Sequence, residues 1–149
     1  MTDSTTPTWE RVRLDHPEDG VARITLTRAE AANAQDYSML AQLNEAFDVA
    51  AQDENSRVIV LAAEGKHFSS GHDTSALNPD MNDFPTIGTQ CHFDAEGAEG
   101  YMAREAEMYV GLCWRWRNIA KPTIASVQGK VIAGGLMLVW PMDMIVCSD

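Results

Sequence analysis

The stretch from Lys121 to Asp149, KPTIASVQGKVIAGGLMLVWPMDMIVCSD, sets the tightest limit on what this chain can become. Thr123 to Val127 is a short β-branched run behind a proline. Gly129 interrupts it, Ala133-Gly134-Gly135 opens a turn, and Leu136 to Trp140 is apolar on every side. The pattern reads as a buried strand, a glycine turn, the start of a buried helix, and a second buried strand at Met144 to Val146. Paired glycines at a helix start let a ligand approach the backbone closely, and the first turn leaves N–H groups without intrahelical partners. Such an end favours negative charge. Glycines in a strand-to-helix turn also serve packing alone, so this turn needs company before it counts as a site.

Upstream, Trp9 to Asp15 alternates, and Val21 to Thr27 places Ala22, Ile24 and Leu26 on one face, with HPEDG as the turn between them. The expectation is a hairpin. Asp36 is placed to cap a helix whose apolar positions Met39, Leu40, Leu43, Phe47 and Ala50 recur at helical spacing to about Asp53. Arg57 to Ala63 is an apolar run without alternation, the mark of a strand covered on both faces. Strand, helix, strand in this order predicts a largely parallel sheet in an α/β fold.

A second glycine turn, Phe68-Ser69-Ser70-Gly71-His72-Asp73, follows that strand, at the end where parallel α/β sheets bind ligands. The backbone N–H of His72 is of more interest than its imidazole, which reads as hydrogen-bonded packing rather than a base or metal ligand. Thr74 to Gly100 is irregular, as a lid or mobile loop would be, and Cys91-His92 within it reads as an inert pair rather than a nucleophile and its base. From Tyr101 to Asn118 a helix is expected, with Met102, Ala106, Tyr109, Val110, Cys113, Trp114 and Ile119 forming its apolar stripe. Glu105 and Glu107 are spaced so that they cannot share one face as a carboxylate pair.

The chain carries a formal charge of −11, which speaks against a nucleic-acid partner, since phosphate backbones are held by clustered Lys and Arg. A phosphate-bearing ligand would need Arg28, Lys66 and Lys130 gathered locally against that field. No run approaches the roughly 20 apolar residues of a membrane span. The opening MTDSTTPTWERVRLD lacks the basic start and apolar core of a secretory signal, and residues 1–8 read as a flexible tail. Three cysteines without CxxC spacing indicate neither a disulfide framework nor zinc, and a cytoplasmic location is expected. Serine-hydrolase, P-loop and dinucleotide signatures are absent.

Four ordered segments resemble the enoyl-CoA hydratase/isomerase (crotonase) superfamily: RAEAANA, FSSGHD, KPTIASVQG and VQGKVIAGGLML. The resemblance runs from near Trp9 to the last residue. It implies a crotonase-like ββα superhelix, of which residues 9–149 would be an N-terminal portion. It further implies an acyl-CoA thioester as substrate, with coenzyme A entering as part of that substrate and no separate cofactor or metal. The backbone N–H groups of His72 and Gly134 would form an oxyanion hole for the thioester oxygen. Ser70, Gly71, Asp73, Thr74, Ser75 and Gly135 would line the substrate, and the full-length protein would be a homotrimer or hexamer.

Two departures from the family pattern bear on chemistry. Hydratases of this type carry a glutamate three residues after the oxyanion glycine, where this sequence has Met137, and a thioether cannot move a proton. Family members are also longer, so a second catalytic glutamate would lie beyond Asp149 and the chain reads as a fragment. The alternatives that stay open are a non-catalytic subunit binding CoA esters or assembling with partners, and an isomerase or thioester hydrolase on the same fold.

Overall fold

The computed structural model describes residues 7–75 and 95–148. The expected segment 1–8 is therefore seen only at Pro7 and Thr8, which are exposed, and Cys91-His92 lies outside the described residues. Five strands form one sheet in sequence order: β1 (Val12–Glu18), β2 (Val21–Leu26), β3 (Val58–Ala63), β4 (Thr123–Val127) and β5 (Met144–Cys147). The first two make the hairpin, antiparallel, and β2 through β5 run parallel. The hairpin turns at Asp19-Gly20 rather than through HPEDG, so His16, Pro17 and Glu18 belong to β1. Gly20 there has φ +78°, the left-handed backbone a tight turn needs.

Parallel neighbours need crossovers, and helices supply them. Helix α1 (Tyr37–Gln52) joins β2 to β3; its first turn is closed by Asp36, whose Oδ1 accepts from the Met39 N–H at 2.7 Å. Met39, Leu40, Leu43, Phe47 and Ala50 face Ala22, Ile24, Leu26, Ile59 and Leu61 in the core, as their spacing predicts. Strand β3 departs from the expectation of cover on both faces: Ile59 and Leu61 are buried while Val58, Val60 and Ala62 are only half-covered, so an unbroken apolar run here has one fully packed face.

Between β3 and β4 runs one helical stretch: α2 (Ala98–Glu105), a π turn (Ala106–Gly111) and α3 (Leu112–Arg117). The π turn, wider than 3.6 residues, resets which side chains face inward. Met108, Tyr109, Leu112 and Trp116 are buried, whereas Met102, Val110 and Trp114 from the expected stripe are exposed. Trp116 packs on Phe47 of α1 with ring centroids 5.2 Å apart, and its Nε1–H donates to Asn44 Oδ1.

Helix α4 (Gly134–Val139) connects β4 to β5. Leu138 and Val139 are buried, but Trp140 is 65% exposed, and all four residues of β5 are exposed, contrary to the buried strand expected at Met144 to Val146. No helix among the described residues is long and apolar enough to cross a membrane.

Candidate functional site

The loops that leave the C-terminal ends of β2, β3 and β4 are stitched together by main-chain hydrogen bonds. Phe68 N–H donates to the Gln128 carbonyl, Ser69 N–H to Lys130 and Ile132 N–H to Ser69, which locks the loop after β3 to the loop after β4. Ser70 N–H donates to Ala32, Gln35 N–H to Gly71 and Asp73 N–H to Gln35, which locks it to the loop after β2. Asn33 adds side-chain clamps, its Nδ2 donating to the carbonyls of Glu64 at 2.9 Å and His67 at 3.1 Å. Because all three loops leave the same end of adjacent parallel strands, their bends converge on one place.

That place holds both glycine turns. Gly71 has φ +95°, and a Cβ on it would lie 2.8 Å from the Ile132 carbonyl oxygen and 3.3 Å from the Gly134 nitrogen. A Cβ on Gly134 would in turn lie 2.6 Å from His72 Nδ1. The two bends, far apart in sequence, are in van der Waals contact, and glycine is what permits the approach. Ile132 to Gly135 is a tight turn closed by Gly135 N–H donating to the Ile132 carbonyl at 2.8 Å. Ala133, at φ 45° and ψ −115°, has the backbone of the first central residue of a type II′ turn, which turns over the peptide that carries the Gly134 N–H.

Neither the His72 nor the Gly134 amide makes a hydrogen bond to another described residue. For His72 the topology explains this. Gln35 pairs with it in a parallel bridge by bonding Gly71 and Asp73, so the amide of His72 itself points to the other side. For Gly134 the position does: it opens α4, where an N–H has no carbonyl one turn back.

The His72 ring is more engaged than its sequence context indicates. Its Nε2 lies 2.9 Å from Glu105 Oε2, and the ring stacks on Tyr109 at a centroid distance of 4.0 Å. Burial, with the Glu105 charge second, pushes the Tyr109 hydroxyl far above its ordinary range, so it stays protonated. Asp73 accepts from Ser75 N–H at 2.9 Å and from Arg28 Nη1 at 2.6 Å. The Ser75 bonds first and the Arg28 guanidinium after them hold its carboxyl down at about 2. Ser70, Thr74 and Ser75 are exposed on the rim, and Gly135 is buried against Ser69.

Of the three cations a phosphate would need, Arg28 is committed to Asp73 and Asp36, whereas Lys66 and Lys130 are exposed on adjoining segments, joined where Gly129 meets the Lys66 carbonyl. Met137 lies half-buried on α4, in an apolar groove of about 330 Å³ lined by Val110, Cys113, Trp114 and Trp140. The Cys113 thiol donates to the Met137 carbonyl at 3.0 Å, and burial pushes its pKa up to about 11. Among the described residues no group of three or more His, Cys, Asp and Glu is placed to hold a metal ion.

Comparison with known proteins decides the family. Residues 16–149 match the model of the enoyl-CoA hydratase/isomerase family. The chain belongs to that family. It is 37% identical over 147 residues to EchA13 of Mycobacterium tuberculosis, a protein named among the enoyl-CoA hydratases, covering 95% of this chain and 46% of that one. Among solved structures, a probable enoyl-CoA hydratase from Mycobacterium thermoresistibile is 41% identical with a TM-score of 0.75 over 92% of this chain and 49% of its own. An enoyl-CoA hydratase/isomerase from Xanthobacter autotrophicus is 30% identical with a TM-score of 0.75, over 94% and 46%. The chain thus spans about half the length of the relatives it matches.

Sequence reasoning does not single out four residues at the glycine turns as site residues: Gln35, Ser69, Glu105 and Tyr109. Ser69 Oγ accepts from Gly71 N–H at 3.2 Å and from Gln35 Nε2 at 3.1 Å, and donates to the Asn33 carbonyl at 2.8 Å. It sits inside the FSSGHD segment, so the motif itself was the available signal. Glu105 and Tyr109 come from the helical stretch, and nothing local in sequence marks them as neighbours of His72.

Proposed function

We propose that the protein processes an acyl-CoA thioester, in the manner of an enoyl-CoA hydratase/isomerase, with the thioester oxygen held between the His72 and Gly134 N–H groups. The observation that supports this reading is that the Gly71 and Gly134 bends are in contact and that neither the His72 nor the Gly134 amide bonds another described residue. Thioester chemistry at the α or β carbon places negative charge on the carbonyl oxygen as an enolate forms. Donors fixed in advance stabilise that charge without reorganising, and one such donor is worth about 3 kcal/mol of barrier. Backbone donors here are held by the loop-to-loop bonds described above, so their aim does not depend on any side-chain rotamer. Coenzyme A enters as part of the substrate, its phosphates meeting Lys66 and Lys130 at the exposed rim, with Ser70, Gly71, Asp73, Thr74, Ser75 and Gly135 along the substrate's path. The groove beside Met137 offers apolar surface of the kind an acyl chain requires. The family resemblance implies assembly of the whole protein into a homotrimer or hexamer, and the cysteine usage supports a cytoplasmic setting.

The test is difference infrared spectroscopy of hexanoyl-CoA labelled with carbon-13 at the thioester carbonyl, bound to the full-length protein. The carbonyl stretch is expected at lower frequency than in water. A stretch unchanged on binding rejects the oxyanion hole.

Met137 favours a second reading, in which the protein binds CoA esters without turning them over, or follows an isomerase or thioester-hydrolase course that needs a single proton carrier. Loss of enoyl absorbance on mixing with crotonyl-CoA separates a hydratase from both.

A further inference from the structure

Met137 occupies the position where the family resemblance puts the first of two glutamates, so among the described residues a proton carrier for chemistry at the two amides has to be another side chain. We propose that the His72 imidazole, oriented by Glu105, is that carrier, with Nδ1 as the atom that takes and returns the substrate's α proton. The proposal rests on the oxyanion-hole reading above and adds the group that acts beside it.

The tautomer follows from the partners. Glu105 Oε2 lies 2.9 Å from Nε2, and a carboxylate only accepts, so Nε2 carries the hydrogen and Nδ1 is left as the acceptor. Nδ1 makes no hydrogen bond to any described residue, and it faces the space that a Cβ on Gly134 would fill, 2.6 Å from that position. Gln35 Oε1 packs on the same glycine, 3.0 Å from that position, is fully buried, and lacks a hydrogen-bond partner among the described residues. Its orientation is fixed, because Gln35 Nε2 donates to Ser69 Oγ, whose own hydrogen goes to the Asn33 carbonyl. Of these two acceptors Nδ1 is the one a substrate can reach, since Gln35 Oε1 is closed off while the His72 side chain is 32% exposed beside Gly134. The ring itself cannot drift: Tyr109 covers one face at 4.0 Å, and Glu105 comes from the end of α2, anchored where the π turn begins. The arrangement is carboxylate, imidazole, reacting atom, the same order of roles that fixes tautomer and charge in a catalytic triad.

In the step this supports, the α C–H bond of the acyl group breaks and its proton forms the Nδ1–H bond. The electron pair moves into the bond between the α and carbonyl carbons, and the charge passes to the thioester oxygen between the two amides. The Glu105 carboxylate accepts from Nε2–H and stabilises the imidazolium. Return of the proton to carbon reverses the step, so it needs no co-reactant.

The experiment is proton-NMR measurement of α-hydrogen exchange of butyryl-CoA in deuterium oxide on the full-length protein, with the carbonyl stretch recorded alongside. His72→Phe keeps the backbone amide and the stacking on Tyr109. It is expected to slow exchange at least 100-fold, about the contribution of a positioned base, with affinity for butyryl-CoA changed less than about threefold and exchange partly restored by added imidazole. Glu105→Gln, which keeps the hydrogen bond but not the charge, is expected to slow exchange about tenfold. A shifted carbonyl with exchange unaltered by His72→Phe, or with no exchange in the unmodified protein, overturns the role of His72 and leaves the hole intact. An unshifted carbonyl in the unmodified protein removes the reading on which both rest.

Discussion

Arg28 Nη1 donates to Asp73 Oδ2 at 2.6 Å while lying 3.4 Å from Asp36 Oδ2, so one guanidinium joins the loop after β3 to the capping residue of α1. All three side chains are largely buried. Removing the cation leaves Asp73 without its guanidinium and Asp36 with Arg11 alone, 3.2 Å away, and breaking a buried pair from one side costs about 3 kcal/mol. Arg28→Met is expected to lower stability by that order in urea unfolding and to weaken acyl-CoA binding. Loss of the pair is also expected to loosen the FSSGHD loop.

The same carboxylate makes an acid-side prediction. Asp73 titrates at about 2 rather than 3.8, held down first by the Ser75 bonds and then by Arg28. A group whose folded pKa is depressed contributes stability above its unfolded pKa and loses it as pH falls toward the folded value. Urea midpoints measured between pH 5 and pH 2 are expected to fall across that window, and Asp73→Asn is expected to flatten part of the fall. An unchanged slope in the variant would show that Asp73 gains nothing from its neighbours.

Backbone strain gives a pair of opposed substitutions. Ala133 carries a Cβ at φ 45°, a conformation that costs a non-glycine residue about 1–3 kcal/mol. Ala133→Gly is expected to raise the unfolding midpoint, since relief of strain exceeds the few tenths to 1 kcal/mol of added unfolded-state entropy. Gly71→Ala is expected to do the reverse. At φ +95° the new Cβ would press on the Ile132 carbonyl and the Gly134 amide, so thermal stability and acyl-CoA affinity should fall together.

What could be read in advance was local. Asp36 as a cap and the five apolar positions of α1 follow from spacing within one helix, and the packing agrees with them. A 3.6-residue period carried through Tyr101 to Asn118 puts Met102, Val110 and Trp114 on the core side. The π turn at Ala106–Gly111 breaks that period, and no residue type announces it. In β5, Met144, Ile145 and Val146 have the apolar, β-rich character of a covered strand, but such a run says only that the strand suits cover, not what supplies it. The meeting of the two glycine turns was reachable only through the resemblance, since hydrogen bonds between loops leave no periodic trace. His72 and Glu105, 33 residues apart with the described helix on one side and a turn on the other, had no sequence signal at all.

Burial sets the reactivity of the thiol under α4. Cys113, with its pKa raised to about 11 and its hydrogen given to the Met137 carbonyl, holds little thiolate at neutral pH. Peptide mapping after brief iodoacetamide treatment is expected to find Cys147, which is exposed, alkylated before Cys113. Hexanoyl-CoA should change the Cys113 rate if the acyl chain occupies the groove that the cysteine lines, and leave it unaltered if the chain lies elsewhere.

Met137 poses the sharpest chemical question, because it separates a missing acid from a replaced one. A glutamate at this place would project from α4 toward the groove lined by Val110, Trp114, Arg117 and Trp140. Unlike the thioether, its carboxyl group can deliver a proton to a substrate carbon. Two outcomes divide the readings of this site. If hydration lacks only its acid, Met137→Glu should raise crotonyl-CoA hydration at least tenfold, with acyl-CoA affinity little altered. If His72 already carries the proton, α-hydrogen exchange should be present before the substitution and unchanged after it. The expected result is the combination: exchange unaffected by Met137→Glu, hydration increased by it, and both abolished in the double variant with His72→Phe. Hydration that survives His72→Phe in the Met137→Glu background would assign the whole of the proton transfer to the introduced acid and none to the imidazole.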